Sequence, residues 1–321
     1  MTLTADLLVA VAFAFAFSIG AHYTGACMGM PYAAGAIRPW HALLLMAPLA
    51  LVGAAFASGR VETTVGHGIL GGGTVALGVA LAIVVSALLL TSAYNLVTIP
   101  TSTIQILVFA TVGAGLAAGI PIHWGTIGTL VVLWATAPFA AFALGFVFVR
   151  VADRYRPAAS GRNALGRNAV VGLVSVGAAA SFAMGANDVS NASGALIMSG
   201  LFGLFLAGAV GGLGIALGVL TWGRPLLQRV AFDLVELDPR MATASQLAQS
   251  TVILVSVAFG FFTSMNQALV GAMIGAGLAR RRSTVLWKPI RSILLGWGVG
   301  PVSGAALGFG LVWALTQAHA L

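Results

Sequence analysis

TSTIQILVFATVGAGLA, running from Thr101 to Ala117, and TSMNQALVGAMIGAGLA, running from Thr263 to Ala279, share eleven of their seventeen residues. The chain therefore contains itself twice. Two further matches keep the same order: Gly20 to Gly29 (GAHYTGACMG) lies over Gly185 to Gly194 (GANDVSNASG), and Trp124, Trp134 and Pro138 lie over Trp287, Trp297 and Pro301. The offset stays between 162 and 165 residues throughout, so the duplication covers nearly the whole chain. An internal repeat in strongly apolar sequence marks a transporter core, in which two copies of one helical unit face each other near mid-membrane.

Composition agrees. Of 321 residues, 60% are hydrophobic and 7% charged, with a mean hydropathy of +1.03, whereas soluble domains carry about 25% charged residues. At roughly 20 apolar residues per crossing, the length accommodates about ten crossings. The net charge of +8 does not point to nucleic acid, because the basic residues are scattered between apolar segments; membrane topology explains them better. The N-terminus carries Asp6 and no basic leader region, and reads as a retained first span. The single cysteine, Cys27, excludes an intrachain disulfide and reads as a packing residue.

Apolar runs fall near residues 5–20, 42–58, 74–93, 104–118, 125–149, 168–184, 201–221, 243–261, 267–279 and 293–315. The short runs after Thr101 and Thr263 suggest half or re-entrant helices. The expected fold is all-α and polytopic: a first repeat over 1–150, a polar cytoplasmic linker over 151–167 and a second repeat over 168–321. Arg280, Arg281, Arg282, Lys288 and Arg291 follow the second Thr-Ser segment, while its counterpart Gly119 to Trp124 holds no positive residue. By the positive-inside rule these equivalent loops lie on opposite sides, which makes the repeats inverted, with five crossings each and both termini outside. Arg224 to Arg240 is expected along the cytoplasmic surface.

Six of the seven acids, Asp6, Glu62, Asp153, Asp233, Glu236 and Asp238, fall near a terminus or in polar sequence. Asp188 is the exception. It stands in FAMGANDVSNASGALIM between apolar runs, where an uncompensated carboxylate is costly. Asn187 and Asn191 flank it, and Ser190 and Ser193 add oxygens. Such a cluster offers ligands to a small hard cation such as sodium and donors to an anion; its bland alternative is an interhelical hydrogen-bond knot. Thr101-Ser102 and Thr263-Ser264 each precede an apolar helical run, so each is expected to cap a helix start. Free N–H groups at such a start seat an oxyanion, and an inverted pair can converge on one anion, with Gln105 and Gln267 a turn further on.

These residues resemble a known family. GANDVSNASG is similar to the signature GANDVANA of the inorganic phosphate transporter (PiT) family, and the Thr-Ser segments resemble its PVSTT-H-x-x-V-G-A-x-x-G-x-G element. The resemblance spans both halves. It implies an inverted-repeat permease moving phosphate, or sulfate in one branch, with sodium or protons. Asn187, Asp188 and Asn191 would then be ion or anion ligands, and Thr101, Ser102, Thr263 and Ser264 would surround the anion. Two departures stand out. Where the family has Asn-Asp in the first half, this chain has His22-Tyr23, with Ala26 for the later Asn, as in the CysP-type sulfate permease branch; this implies one cation site fewer. The family's histidine in the Thr-Ser element is replaced by Gln105 and Gln267.

Because an imidazole titrates near neutral pH, His22 reads either as a proton carrier or as a hydrogen-bonded neutral histidine. No paired His with Glu, Cys-x-x-Cys or Ser-His-Asp order supports an enzyme or a resident metal, and no cofactor is expected. The expected function is a secondary permease for a tetrahedral oxyanion, phosphate favoured over sulfate, coupled to sodium or protons, with Asp188, Asn187, Ser190 and His22 serving the cation. The partners are the transported ions and membrane lipid, not nucleic acid; a homo-oligomer stays open. An anion channel is the rival from another class, and it would need a continuous polar pore.

Overall fold

The computed structural model describes residues 2–96, 101–155, 166–230, 238–280 and 287–319. In the first repeat the helices are α1 (Leu3–His22), α2 (Thr24–Ala33), α3 (Pro39–Phe56), α4 (Gly59–His67), α5 (Leu77–Leu96), α6 (Thr103–Ala118) and α7 (Trp124–Tyr155). The second holds α8 (Arg167–Asp188), α9 (Ser190–Met198), α10 (Leu204–Val230), α11 (Pro239–Ala258), α12 (Met265–Ala279) and α13 (Trp287–Gln317). Helix ends follow local chemistry. Proline occupies the first turn of α3 and α11, where its missing N–H costs nothing. The Asp238 carboxylate accepts from the N–H groups of Arg240 and Met241 at 2.9 and 3.1 Å, and Gly119, at φ +68°, ends α6.

Eight helical stretches are long and apolar enough to cross a membrane, with α6 and α12 as two shorter apolar helices. They make five apolar segments per repeat. Their outward surface is apolar as well: Phe56, Leu89, Phe139, Trp222 and Val302 are all more than half exposed. A molecule with this exterior is built to sit in lipid, where every backbone group must be satisfied within the protein. α4, nine residues long, was not foreseen. Arg224 is exposed in the C-terminal part of α10, while Asp233, Glu236, Arg281 and Arg282 fall outside the described residues. α7 continues to Tyr155 and α8 starts at Arg167; residues 156–165 between them are also outside.

α7 serves as a ruler for the inversion. It has 32 residues, which at 1.5 Å per residue is roughly 48 Å. The C-terminal end of α6 meets its first residues, since Ile120 N–H returns to Gly115 and the next turn leads directly into Trp124. The C-terminal end of α12 meets its last residues: Arg280 donates to Asp153 through Nε at 2.8 Å, with a second guanidinium nitrogen on the same carboxylate. Equivalent helices therefore run out to opposite faces, and the repeats are inverted.

The same contacts show an exchange of partners. Added β-carbons on Gly271 and Gly275 of α12 would run into the carbonyl oxygens of Pro138 and Phe142 on α7, and those on Gly304 and Gly308 of α13 into Ile106 and Ala110 of α6. Each half-length helix thus lies glycine-close along the long helix of the other repeat. Such close backbone approach is the means by which apolar helices associate in lipid.

Candidate functional site: where four helix breaks converge

The interruptions in the two long broken spans are single residues, not glycine loops. α1 and α2 are separated by Tyr23, and α8 and α9 by Val189, directly after Asp188. Both breaks are buried, each about two-thirds of the way along its span, and the starts of α6 and α12 are brought to them.

Asn187 makes the join on the α12 side. Its amide accepts from the Thr263 N–H at 3.1 Å and donates to the Thr263 carbonyl at 2.9 Å, and its second N–H reaches Asp188 Oδ2 at 3.0 Å. Both amide protons are then engaged, so Asn187 positions Thr263 and Asp188 and has no donor left for an anion, while its oxygen keeps one lone pair. Trp134 steadies the preceding residue, donating its indole N–H to the Phe262 carbonyl at 3.0 Å. On the α6 side, Asn191 Nδ2 donates to Thr103 Oγ1 at 3.3 Å, and Tyr23 shares a 2.9 Å hydrogen bond with the same hydroxyl. Tyr23 also lies close to Asp188. Residues equivalent by the repeat thus touch one another.

Ser102 and Ser264 cap α6 and α12 in the same way, accepting from the backbone N–H of Gln105 and Gln267 at 3.4 Å each. Their own hydroxyl protons stay available. Among the described residues, ten buried side-chain atoms have no hydrogen-bond partner in the protein, and six belong to these motifs: Thr101 Oγ1, Gln105 Oε1, Asp188 Oδ1, Asn191 Oδ1, Thr263 Oγ1 and Gln267 Oε1. Each residue is at most 6% exposed. A buried polar atom without a partner costs about 1–3 kcal/mol, so six in one place make this the candidate seat for a polar guest. Two more, Gln246 Oε1 and Gln249 Oε1, belong to α11, whose amides hold the Ala26 and Cys27 carbonyls of α2 and the Met265 carbonyl of α12.

Two expected cation ligands are placed differently. Ser190 donates to the Asn187 carbonyl at 3.0 Å, so its proton mends the helix break while its oxygen can still accept. Ser193 turns away from Asp188 altogether and meets Glu62 Oε1 at 2.5 Å. His22 is half-buried, edge-on to Tyr23 with ring centroids 4.8 Å apart, and its Nε2 lies 3.4 Å from Asn266 Nδ2. It borders the site.

Comparison with known proteins places this geometry. A model of the phosphate transporter family matches residues 19–170 and again 162–308, one match per repeat. The chain belongs to the phosphate transporter family. It is 29% identical over 302 residues to the sulfate permease CysP of Bacillus subtilis, covering 93% of this chain and 84% of that one. It is 28% identical over 350 residues to a probable low-affinity inorganic phosphate transporter of Mycobacterium tuberculosis, covering 97% and 82%. A solved structure, the sodium-dependent phosphate transporter, superposes with a TM-score of 0.89 at 21% identity, covering 98% of this chain and all of that one. Members of the phosphate transporter family are transporters rather than enzymes, and this chain is an integral membrane protein of that kind.

Sequence reasoning missed several residues of the site in this phosphate transporter family member. Tyr23 was seen only as a lost carboxylate, and Thr103, Gln246 and Gln249 not at all. Glu62, taken for a loop acid, is 1% exposed and packed against α9. The signal was available at Gln246 and Gln249, two amides three positions apart in a run of otherwise apolar and hydroxyl residues. For Glu62 there was none, because α4 reads as a polar loop. α4 is not one of the spanning helices, and burial drives the Glu62 carboxyl up to about 7 against the opposing hydrogen bonds of Ser193 and Ser58.

Proposed function

We propose that this chain is a secondary permease of the plasma membrane, with both termini outside, that carries phosphate by symport with sodium or protons. One observation carries the substrate: Asp188 Oδ1 is a buried acceptor without a donor, at the point where Asn187 and Tyr23 tie the α12 and α6 starts together. Gln105, Gln267 and Asn191 contribute further acceptor oxygens. Phosphate near neutral pH still carries a proton and can donate to such oxygens, whereas sulfate only accepts. The Thr101, Ser102, Thr263 and Ser264 hydroxyls and the two helix starts supply donors for the other phosphate oxygens, and an amide rotated about its last bond offers N–H instead of C=O. Sodium fits the same oxygen set beside Asp188, as a cargo ion.

A second reading, sulfate, is favoured by Tyr23, which leaves one intramembrane carboxylate at the breaks instead of two, and by the likeness to the Bacillus permease. Reconstituted vesicles given labelled phosphate or labelled sulfate, with sodium and proton gradients imposed one at a time, decide the matter. Phosphate accumulation that sulfate does not inhibit is the expected result; preferential sulfate accumulation would reverse the assignment, and gradient-independent equilibration of either ion would indicate a channel.

A further inference from the structure

Glu62 lies outside the convergent site, yet it touches the helix that forms it. Its Oε1 is 2.5 Å from Ser193 Oγ, and Ser58 Oγ forms a second hydrogen bond to the carboxyl group. Both hydroxyls have competing duties. Ser58 Oγ donates to the Ala54 carbonyl at 2.5 Å, and Ser193 Oγ to the Val189 carbonyl at 3.0 Å. Each serine owns one proton, so two hydroxyl protons face three acceptors. Gly208 of α10 closes the pocket: a β-carbon there would sit 3.1 Å from Glu62 Oε1 and 3.3 Å from Ser58 Oγ.

Among the described residues, no cation faces this carboxyl. α9 has no titratable residue, and the nearest basic residue of α10 is Arg224, sixteen positions beyond Gly208. α11 carries Arg240 at its opposite end, and Arg38 and His41 stand at the far start of α3. On α4 itself Arg60 reaches out to the Ala258 carbonyl at 2.6 Å, and His67 is exposed. An ionised carboxylate sealed in with one or two hydroxyls is expensive, and taking up a proton removes the cost. The short 2.5 Å oxygen separation suits a shared proton.

We propose that Glu62 is the proton-binding site of the transport cycle and that Ser193 relays its protonation state to Val189, the break residue beside Asp188. When Glu62 holds a proton it donates to Ser193 Oγ, and the serine proton closes onto the Val189 carbonyl. When Glu62 is ionised, the serine proton turns to the carboxylate and leaves that carbonyl to the backbone N–H groups of Ala192 and Ser193, at 3.0 and 2.9 Å. The switch therefore acts on the break that adjoins the anion seat. It rests on the permease reading above and assigns the driving ion as a proton.

The test uses the full chain in lipid vesicles, with labelled phosphate and an imposed proton gradient, alongside infrared difference spectra of the same protein titrated with pH. Glu62→Gln should abolish proton-driven accumulation, and the protonated-carboxyl band assigned to Glu62 should vanish from the spectra. Ser193→Ala should move the midpoint of that band to higher pH, because the ionised form loses its donor. Proton-driven accumulation by Glu62→Gln equal to the wild type, or a wild-type carboxyl band unaffected by that substitution, would overturn the proposal. Wild-type vesicles that accumulate neither phosphate nor sulfate under any gradient would instead overturn the permease reading and the coupling role with it, while the infrared titration still reports whether Glu62 binds a proton.

Discussion

Asn187 grips Thr263 from both sides, accepting from its N–H and donating to its carbonyl across 76 positions of sequence. The equivalent residue of the first repeat, His22, lies against Asn266 of α12. One half-helix start is therefore fastened by a side chain that satisfies the backbone, and the other is held through Thr103.

Replacing Asn187 by Ala leaves the Thr263 N–H and C=O buried without partners, at about 1–3 kcal/mol each. The expected outcome is a lower melting temperature in detergent together with loss of phosphate uptake. An unchanged melting temperature would mean that the clasp contributes nothing to the fold.

Thr101→Val and Thr263→Val remove hydroxyls that have no partner within the protein. Stability should stay level or rise, while the half-saturation concentration for the anion rises about tenfold for each, the equivalent of ~1.4 kcal/mol. Ordinary packing threonines would show the reverse, with stability lost and affinity kept, so thermal unfolding and uptake kinetics on the same preparations separate the two roles.

Asp188→Asn keeps the shape of the side chain and removes the charge. Cation-coupled uptake is expected to disappear, because an amide neither accepts the second hydrogen bond from phosphate nor neutralises a cation. Near wild-type uptake with the same cation requirement would refute the role.

Tyr23→Asp restores a carboxylate at the first break, opposite Asp188. A second acid needs a second positive charge to be tolerated there, so a sodium gradient should drive uptake by the variant beyond what the proton-driven wild type shows. An unaltered sodium dependence would show that Tyr23 does not stand in for a cation ligand.

Much of this arrangement is legible in the sequence, and the reasons are local. The Thr101 and Thr263 segments reveal the duplication, their serines behave as caps, and the uneven charge of equivalent loops gives the inversion, because lipid enforces each of these rules along the chain. Asp188 is conspicuous for the same cause. What stays hidden depends on which helices become neighbours. Glu62 sits in a stretch as polar as any surface loop and is buried only because α9 and α10 cover it. The clasp from Asn187 could not be told from a direct anion contact, since both need the same amide. Ser193 shares a motif with Asp188, but on a helix that resumes after Val189 it points to another wall.

The partner exchange of α6 with α13 and α12 with α7 sets the order in which the protein can be made. As the chain emerges from the ribosome, α6 is inserted some 200 residues before the helix whose glycines it must meet is complete. The glycine and alanine face of α6 spends that interval against lipid, so the first half is an unfinished object until the last helix arrives. Assembly is then a late, long-range event whose loop-closure entropy makes it slow, and a chain truncated before α13 would forfeit α6 as surely as if that helix had been deleted.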